Sequence, residues 1–328
     1  MQNNELPNNG MTVSAFSLGS YETLARMEYR DIVELISTAL EAGITLFDVA
    51  HYRRAPHTEV ILARALEDAG AGESIRVMTK VWKESADADV SKELQESLFR
   101  LRRDVIDIVL LYGPRWGIDE PIDHAEDVLG LVESGLARSW GGINWRPEHI
   151  GEVIDTFRAA ERALPVLMQL KYNPARRAVA ESEAYLEVFA SSGMRLQSSD
   201  ALEGGVFAGK SLESPAEGGR VLGRDPGRIR EQIAAAMPRF VSVADGFGVT
   251  PAQLSLAFSL AFEHTATVLF GASSVVQLRD NLGALALAEQ HGAEVRRLVS
   301  EAVSIEGHRL DVPPGSIVLP HEDPYAVR

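Results

Sequence analysis

The chain of 328 residues contains no cysteine. Disulfides, thiolate metal ligands and thiol nucleophiles are therefore excluded, and the absence fits a reducing compartment. Positive charge is scarce: 32 Lys and Arg stand against 47 Asp and Glu, for a formal net charge of −15. Such a surface repels a phosphate backbone and argues against nucleic acid as a partner, although a local basic pocket for a small anion remains open. No stretch approaches the ~18 consecutive apolar residues of a membrane span. The first ten residues are polar and Asn-rich, without the charged start and apolar run of a secretory signal. These absences predict a cytoplasmic protein with no membrane partner. No Pro, Ser or Gly-rich linker divides the chain, so residues 1–328 read as one domain. With 45% hydrophobic residues it can bury a full core.

Short apolar runs recur at 13–18, 45–50, 76–82, 107–112, 138–144, 166–172, 194–199 and 267–272. Several of them, such as Ile108-Val109-Leu110-Leu111, are apolar without alternation, the pattern of strands covered on both faces. Helical spacing fills the gaps at 31–42, 59–69, 87–103, 126–133 and 149–163, with Gly43, Gly70, Gly135 and Pro165 near the stops. Eight such alternations predict a single (β/α)₈ TIM barrel, in the α/β class; a doubly wound eight-stranded sheet is the rival. Residues 212–230 read as an insertion between strand seven and its helices and 307–328 as a tail or loop lying over the barrel.

In this architecture polar residues at the carboxyl ends of strands converge on one mouth. Strand two ends in Asp48, followed by His51 and Tyr52. Strand three carries Lys80, strand four ends at Tyr112, strand five at Asn144, and strand six holds Gln169. A buried carboxylate beside a buried ammonium can tune a nearby phenol for proton transfer to a carbonyl oxygen. The same two groups could instead form a structural ion pair closing the barrel. The remaining candidates at strand ends, Arg115, Trp116, Arg176 and Arg177, read chiefly as solvated loop residues. His57, His124, His149 and His264 read as surface histidines, and no spacing suggests a metal site.

The run LFDVAHYRRAPHTEVIL from Leu46 resembles the strand-two signature of the aldo-keto reductases. MTKVW around Lys80 resembles their lysine strand, and SWGGINW, MQLKYN, LEGGVFAGK and GASSVVQLRDNL continue the resemblance in the family's order. The closest flavour is the bacterial-type branch that also contains the potassium-channel β-subunits. The resemblance implies NADP(H), bound extended and without a Rossmann fold. It implies that Ser273, Gln277 and Asn281 hold the adenine–ribose end, and that Lys210 and Arg220 grip and cover the pyrophosphate. Gly205 would let the backbone approach the cofactor closely, while Asn144 and Gln169 would meet the carboxamide.

The nicotinamide half departs from the family pattern. Of its Asp, Tyr, Lys and His tetrad, Asp48 and Lys80 are present. Arg53 stands where the tyrosine belongs, Tyr52 lies one residue early, and Tyr112 takes the histidine position. Ile143 replaces a serine, and Ser199 replaces the aromatic residue that stacks on the ring. The implied activity is reduction of a small carbonyl substrate, with Tyr52 or Tyr112 as proton donor. A redox-neutral dehydratase, lyase or epimerase is the alternative, as is a non-catalytic NADP-binding protein. Family precedent implies a monomer, with a homo-oligomer open.

Overall fold

The computed structural model describes residues 1–21, 23–52, 55–83, 88–114, 120–209 and 230–305. The strands are β1 (Asn3–Leu6), β2 (Met11–Ser14), β3 (Phe16–Gly19), β4 (Leu46–Asp48), β5 (Arg76–Val81), β6 (Ile108–Tyr112), β7 (Trp140–Ile143), β8 (Leu167–Lys171), β9 (Arg195–Ser199) and β10 (Thr265–Phe270). The helices between and after them are α1 (Tyr29–Glu41), α2 (Thr58–Asp68), α3 (Val90–Leu101), α4 (Pro121–Glu133), α5 (Pro147–Ala159) and α6 (Arg177–Ala180). They continue with α7 (Glu183–Ser192), α8 (Arg230–Phe247), α9 (Pro251–Leu260), α10 (Val275–Leu282) and α11 (Ala284–Ala302).

Strands β3 to β10 pair in sequence order, all parallel, and β10 closes on β3 to complete an eight-stranded barrel. All eight runs expected as barrel strands are found there. Their non-alternating character follows from the two cores that cover them. Leu46, Met78, Ile108, Leu110 and Leu167 fill the barrel interior. Phe47, Val77, Val109, Leu111 and Met168 face the surrounding helices. The paired glycines of β7 are set by crowding. A Cβ on Gly141 would run into the Leu167 carbonyl oxygen, and one on Gly142 would lie 2.7 Å from Met168 Cε and from Trp145 Cδ1.

The first expected strand, 13–18, is in fact two. The amino-terminal residues are ordered into the fold: β1 and β2 form an antiparallel hairpin, with Asn3 opposite Ser14 and Leu6 opposite Met11. Leu6 and Val13 join the interior core and so plug the amino-terminal end of the barrel. Ser14 makes the corner possible, because its hydroxyl donates to the Phe16 carbonyl (2.6 Å) and accepts the Thr45 N–H (2.9 Å). Side-chain atoms there replace a broken backbone ladder. The insertion 212–230 lies outside the described residues except for its last member, and so does the tail 307–328. Among the described residues no helix is long and apolar enough to cross a membrane.

Candidate active site

Asp48 ends β4 and Lys80 lies on the neighbouring β5, where register places Asp48 beside Met78. Lys80 is therefore two residues further along, on the same inward face. Its ammonium donates to Asp48 Oδ1 in an ion pair whose members are 9% and 2% exposed. Gln169, across the barrel on β8, donates Nε2–H to Asp48 Oδ2 (3.1 Å) and to Gln197 Oε1 (2.7 Å). Gln197 in turn donates Nε2–H to Ser17 Oγ (3.2 Å). A buried polar layer thus crosses the barrel from β5 to β3, with the Asp48 charge matched by Lys80 and its remaining oxygen hydrogen-bonded. Gln197 and Ser17 were not expected in it; the only trace in the sequence is a polar residue at an inward position of an otherwise buried strand.

Tyr52 and Tyr112 face the same groove above this floor, with Asp48 and Lys80. The Tyr52 hydroxyl lies 3.2 Å from Ser20 Oγ, and its ring meets Tyr21 at 5.2 Å. Tyr112 stacks obliquely on Trp82, with centroids 4.1 Å apart. Its backbone carbonyl bonds His124 Nε2 at 2.7 Å. Lys80 has no hydrogen bond to either phenol; its partner is Asp48. Arg53 lies outside the described residues.

The groove has a volume of about 1090 Å³ and runs from this floor to the start of α10. Of the expected cofactor residues, Asn144, Gln169, Ser199, Gly205, Ser273, Gln277 and Asn281 all line it. Asn144 turns out of β7 in the left-handed region (φ 51°), and its N–H bonds the Gln169 carbonyl at 3.1 Å. That bend carries its amide to the mouth. Ser199 does not project a polar group into the groove, because its hydroxyl donates to the Leu170 carbonyl at 2.9 Å. Gly205 sits at φ 104°, a conformation only glycine adopts readily. At the far end Gln277 Oε1 accepts both the N–H and the hydroxyl of Ser273 (2.9 and 3.0 Å), so its Nε2 is not used in that contact. Asn281 is 5% exposed. Lys210 and Arg220 lie outside the described residues.

The groove fits an extended dinucleotide on its own chemistry. The side-chain amides of Asn144 and Asn281 line it, one near each end, and neither has a hydrogen-bond partner among the described residues. Asn144 is half-buried and Asn281 is 5% exposed, so each can offer an amide donor and acceptor to a molecule lying in the groove. The carboxylates of Asp200, Glu203 and Asp280 also line the walls.

Several side residues differ from expectation. Arg176 is no solvated loop charge. It is 2% exposed and forks onto Glu203, with Nη2–Oε1 at 2.6 Å and Nε 3.1 Å from both oxygens. Arg177 donates to the Val303 carbonyl (3.0 Å) and so straps the end of α11. His124 is buried against Trp145, and His264 is wedged between Phe189 and Phe262; of the four histidines expected at the surface, His149 is half-buried and His57 alone is exposed. Helical or loop context in a sequence does not show which face such a ring occupies. Arg115 and Trp116 lie outside the described residues. Among the described residues no cluster of three or more His, Asp or Glu could hold a metal ion.

A parallel eight-stranded barrel with a groove at the carboxyl ends, floored by a buried Asp–Lys pair, defines a (β/α)₈ enzyme-type scaffold. Residues 15–300 match the aldo/keto reductase family, and the chain belongs to it. The chain is 26% identical over 302 residues to a probable voltage-gated potassium channel subunit beta of Oryza sativa subsp. japonica. That match covers 87% of this chain and 91% of the relative. In fold it is similar to a thermostable aldo-keto reductase solved in complex with the inhibitor epalrestat. The TM-score is 0.72 at 24% identity, over 92% of this chain and 100% of the other. The relatives support the branch that includes the channel β-subunits, and membership places the chain among oxidoreductases.

Proposed function

We propose that the chain is an NADP(H)-dependent carbonyl reductase acting on a small aldehyde or ketone, with Tyr112 as its proton donor. One observation carries this reading: the groove that begins at the Asp48–Lys80 pair and continues to Ser273, Gln277 and Asn281. The chemistry a nicotinamide would supply when bound is hydride for the carbonyl carbon. Asn144 and Gln169 would hold its carboxamide, with Ser199 beside the ring. Because Gln169 Nε2 is spent on Asp48 and Gln197, it offers Oε1 as an acceptor. Gly205, Lys210 and Arg220 would take the pyrophosphate, and the three α10 residues the adenosine.

The acid step belongs to the chain itself. Asp48 fixes the Lys80 ammonium at the groove floor, and a positive charge in a water-poor site stabilises the phenolate left when a tyrosine gives up its proton. Tyr112 is favoured over Tyr52 because the latter holds its hydrogen toward Ser20. That commitment of Tyr52, together with the missing ring at Ser199, also supports a second reading, a redox-neutral dehydratase, lyase or epimerase. The proposal includes one domain, with 212–230 over the cofactor and 307–328 over the barrel. It also includes a cytoplasmic monomer, with a homo-oligomer open, and neither nucleic-acid nor membrane partners, in line with the acidic surface.

Fluorescence titration with NADPH, followed by turnover on a reactive diketone and a panel of aldehydes, tests it. Saturable binding with oxidation of NADPH is the expected result. Binding without oxidation of any carbonyl favours the redox-neutral or non-catalytic alternatives, and absence of binding removes the reading.

A further inference from the structure

Lys171 ends β8, two residues beyond Gln169, so its side chain leaves the strand on the same inward face and lines the groove. It pairs in register with Ser199, where the ring-bearing end of the groove turns toward the glycine loop. Its ammonium lies 3.6 Å from Asp200 Oδ2. Asp200 has a job of its own. It is held at φ 53°, and its Oδ1 accepts the Gly204 N–H at 2.9 Å, so it fixes the turn into Gly204 and Gly205. Fixing the turn with a carboxylate brings a negative charge to the wall along which dinucleotide phosphates would pass. A carboxylate in that place repels them.

We propose that Lys171 contributes to the charge shield of this wall: it offsets part of the Asp200 charge so that a pyrophosphate can lie against the glycine loop, and it leans on a phosphate oxygen when one is there. The inference rests on the dinucleotide reading above. The 3.6 Å separation is longer than a hydrogen bond, so the ammonium can turn toward a phosphate without breaking a short contact. With both members of the pair about a quarter exposed, the exchange is cheap. A phosphate offers a stronger charge-assisted partner. Lys80 cannot serve the same purpose, being held at the floor by Asp48.

The test is NADPH titration of the wild type, K171M, D200N and K171M/D200N at low and at physiological salt. Asparagine suits position 200, because its amide oxygen still accepts the Gly204 N–H and it tolerates positive φ. K171M is expected to weaken NADPH by about tenfold or more, the loss of one charged contact plus an unmasked repulsion. D200N should bind at least as well as the wild type, and the double variant should recover to within about threefold of it, as a coupled pair requires. Thermal melts of all four proteins check that each is folded, and K171Q serves in place of K171M if the latter is not. Wild-type affinity in K171M overturns the inference alone, as does a double variant no better than K171M. No NADPH binding by the wild type overturns the dinucleotide reading and this inference with it.

Discussion

Tyr52 donates its phenolic hydrogen to Ser20. The two oxygens are 3.2 Å apart, and Ser20 has spent its single hydroxyl hydrogen on the Asp48 carbonyl at 2.9 Å. Only the phenol can then supply the proton between them. Tyr52, itself 2% exposed, is thereby tied through Ser20 to the backbone of the residue that anchors Lys80. The relationship makes Tyr52 a brace for Asp48.

Ser20→Ala should therefore destabilise the fold by about 1–2 kcal/mol, and Tyr52→Phe by about 1 kcal/mol. The double variant should cost less than the sum, since both singles delete the same contact. Urea unfolding midpoints of the three proteins check this; strict additivity would show that the phenol and Ser20 are not coupled.

Proton donation by Tyr112 gives a different signature. Tyr112→Phe should lower kcat by about a hundredfold or more with little change in KM, whereas Tyr52→Phe should lower it far less. Lys80→Met should abolish turnover, and Lys210→Met should chiefly weaken NADPH binding. Steady-state kinetics with a diketone substrate separate these outcomes. A larger kcat effect at Tyr52 than at Tyr112 would reverse the assignment.

The barrel was legible because its strands are buried on both faces: runs such as Ile108–Tyr112 announce themselves by unbroken apolarity. The hairpin strand Asn3–Leu6 was not, since Leu6 is its only apolar residue and the Asn side chains hide their role. Asn4 and Asn8 each donate at 2.7 Å to distant carbonyls, those of Ala266 and Pro165. At the site, Asp48, Lys80 and Gln169 stood at strand ends in recognisable motifs. Lys171 lay inside one of those motifs but earned no notice, because its meaning comes from Asp200, a loop residue of the next βα unit. Arg176 and Glu203 are likewise 27 residues apart, and no local pattern marks such a pair.

That pair is a stability element. Glu203→Ala would leave the Arg176 guanidinium buried without its carboxylate and Asn173 without a 2.8 Å acceptor. The expected cost is about 3–5 kcal/mol, because removing one partner of a buried, hydrogen-bonded ion pair is strongly destabilising. Glu203→Gln, which keeps an acceptor, should cost less. Urea unfolding decides it, and an effect of Glu203→Ala within the error of wild type would mean that Arg176 finds water or another partner when released.

His264 supplies the pH dependence. Its ring stacks on Phe189 (5.2 Å, 24°) and stands edge-on to Phe262 (5.2 Å, 75°). Burial pushes its pKa below the usual 6.5, with Arg195 adding to the shift and Glu263 opposing it. For a base with a depressed folded pKa, the unfolded chain takes up the proton first. Above the ordinary value both states are neutral and the residue contributes nothing to pH dependence. As the pH falls through that value toward the folded pKa, the unfolded state gains a proton that the native state refuses, and stability declines. His264→Phe keeps the aromatic stack and removes the proton site. Between about pH 7.5 and pH 5 the wild type should therefore lose more stability than the variant, since carboxylate titrations common to both cancel in the comparison. Parallel pH profiles of the urea midpoint in the two proteins would show that the ring is protonated as readily in the fold as out of it.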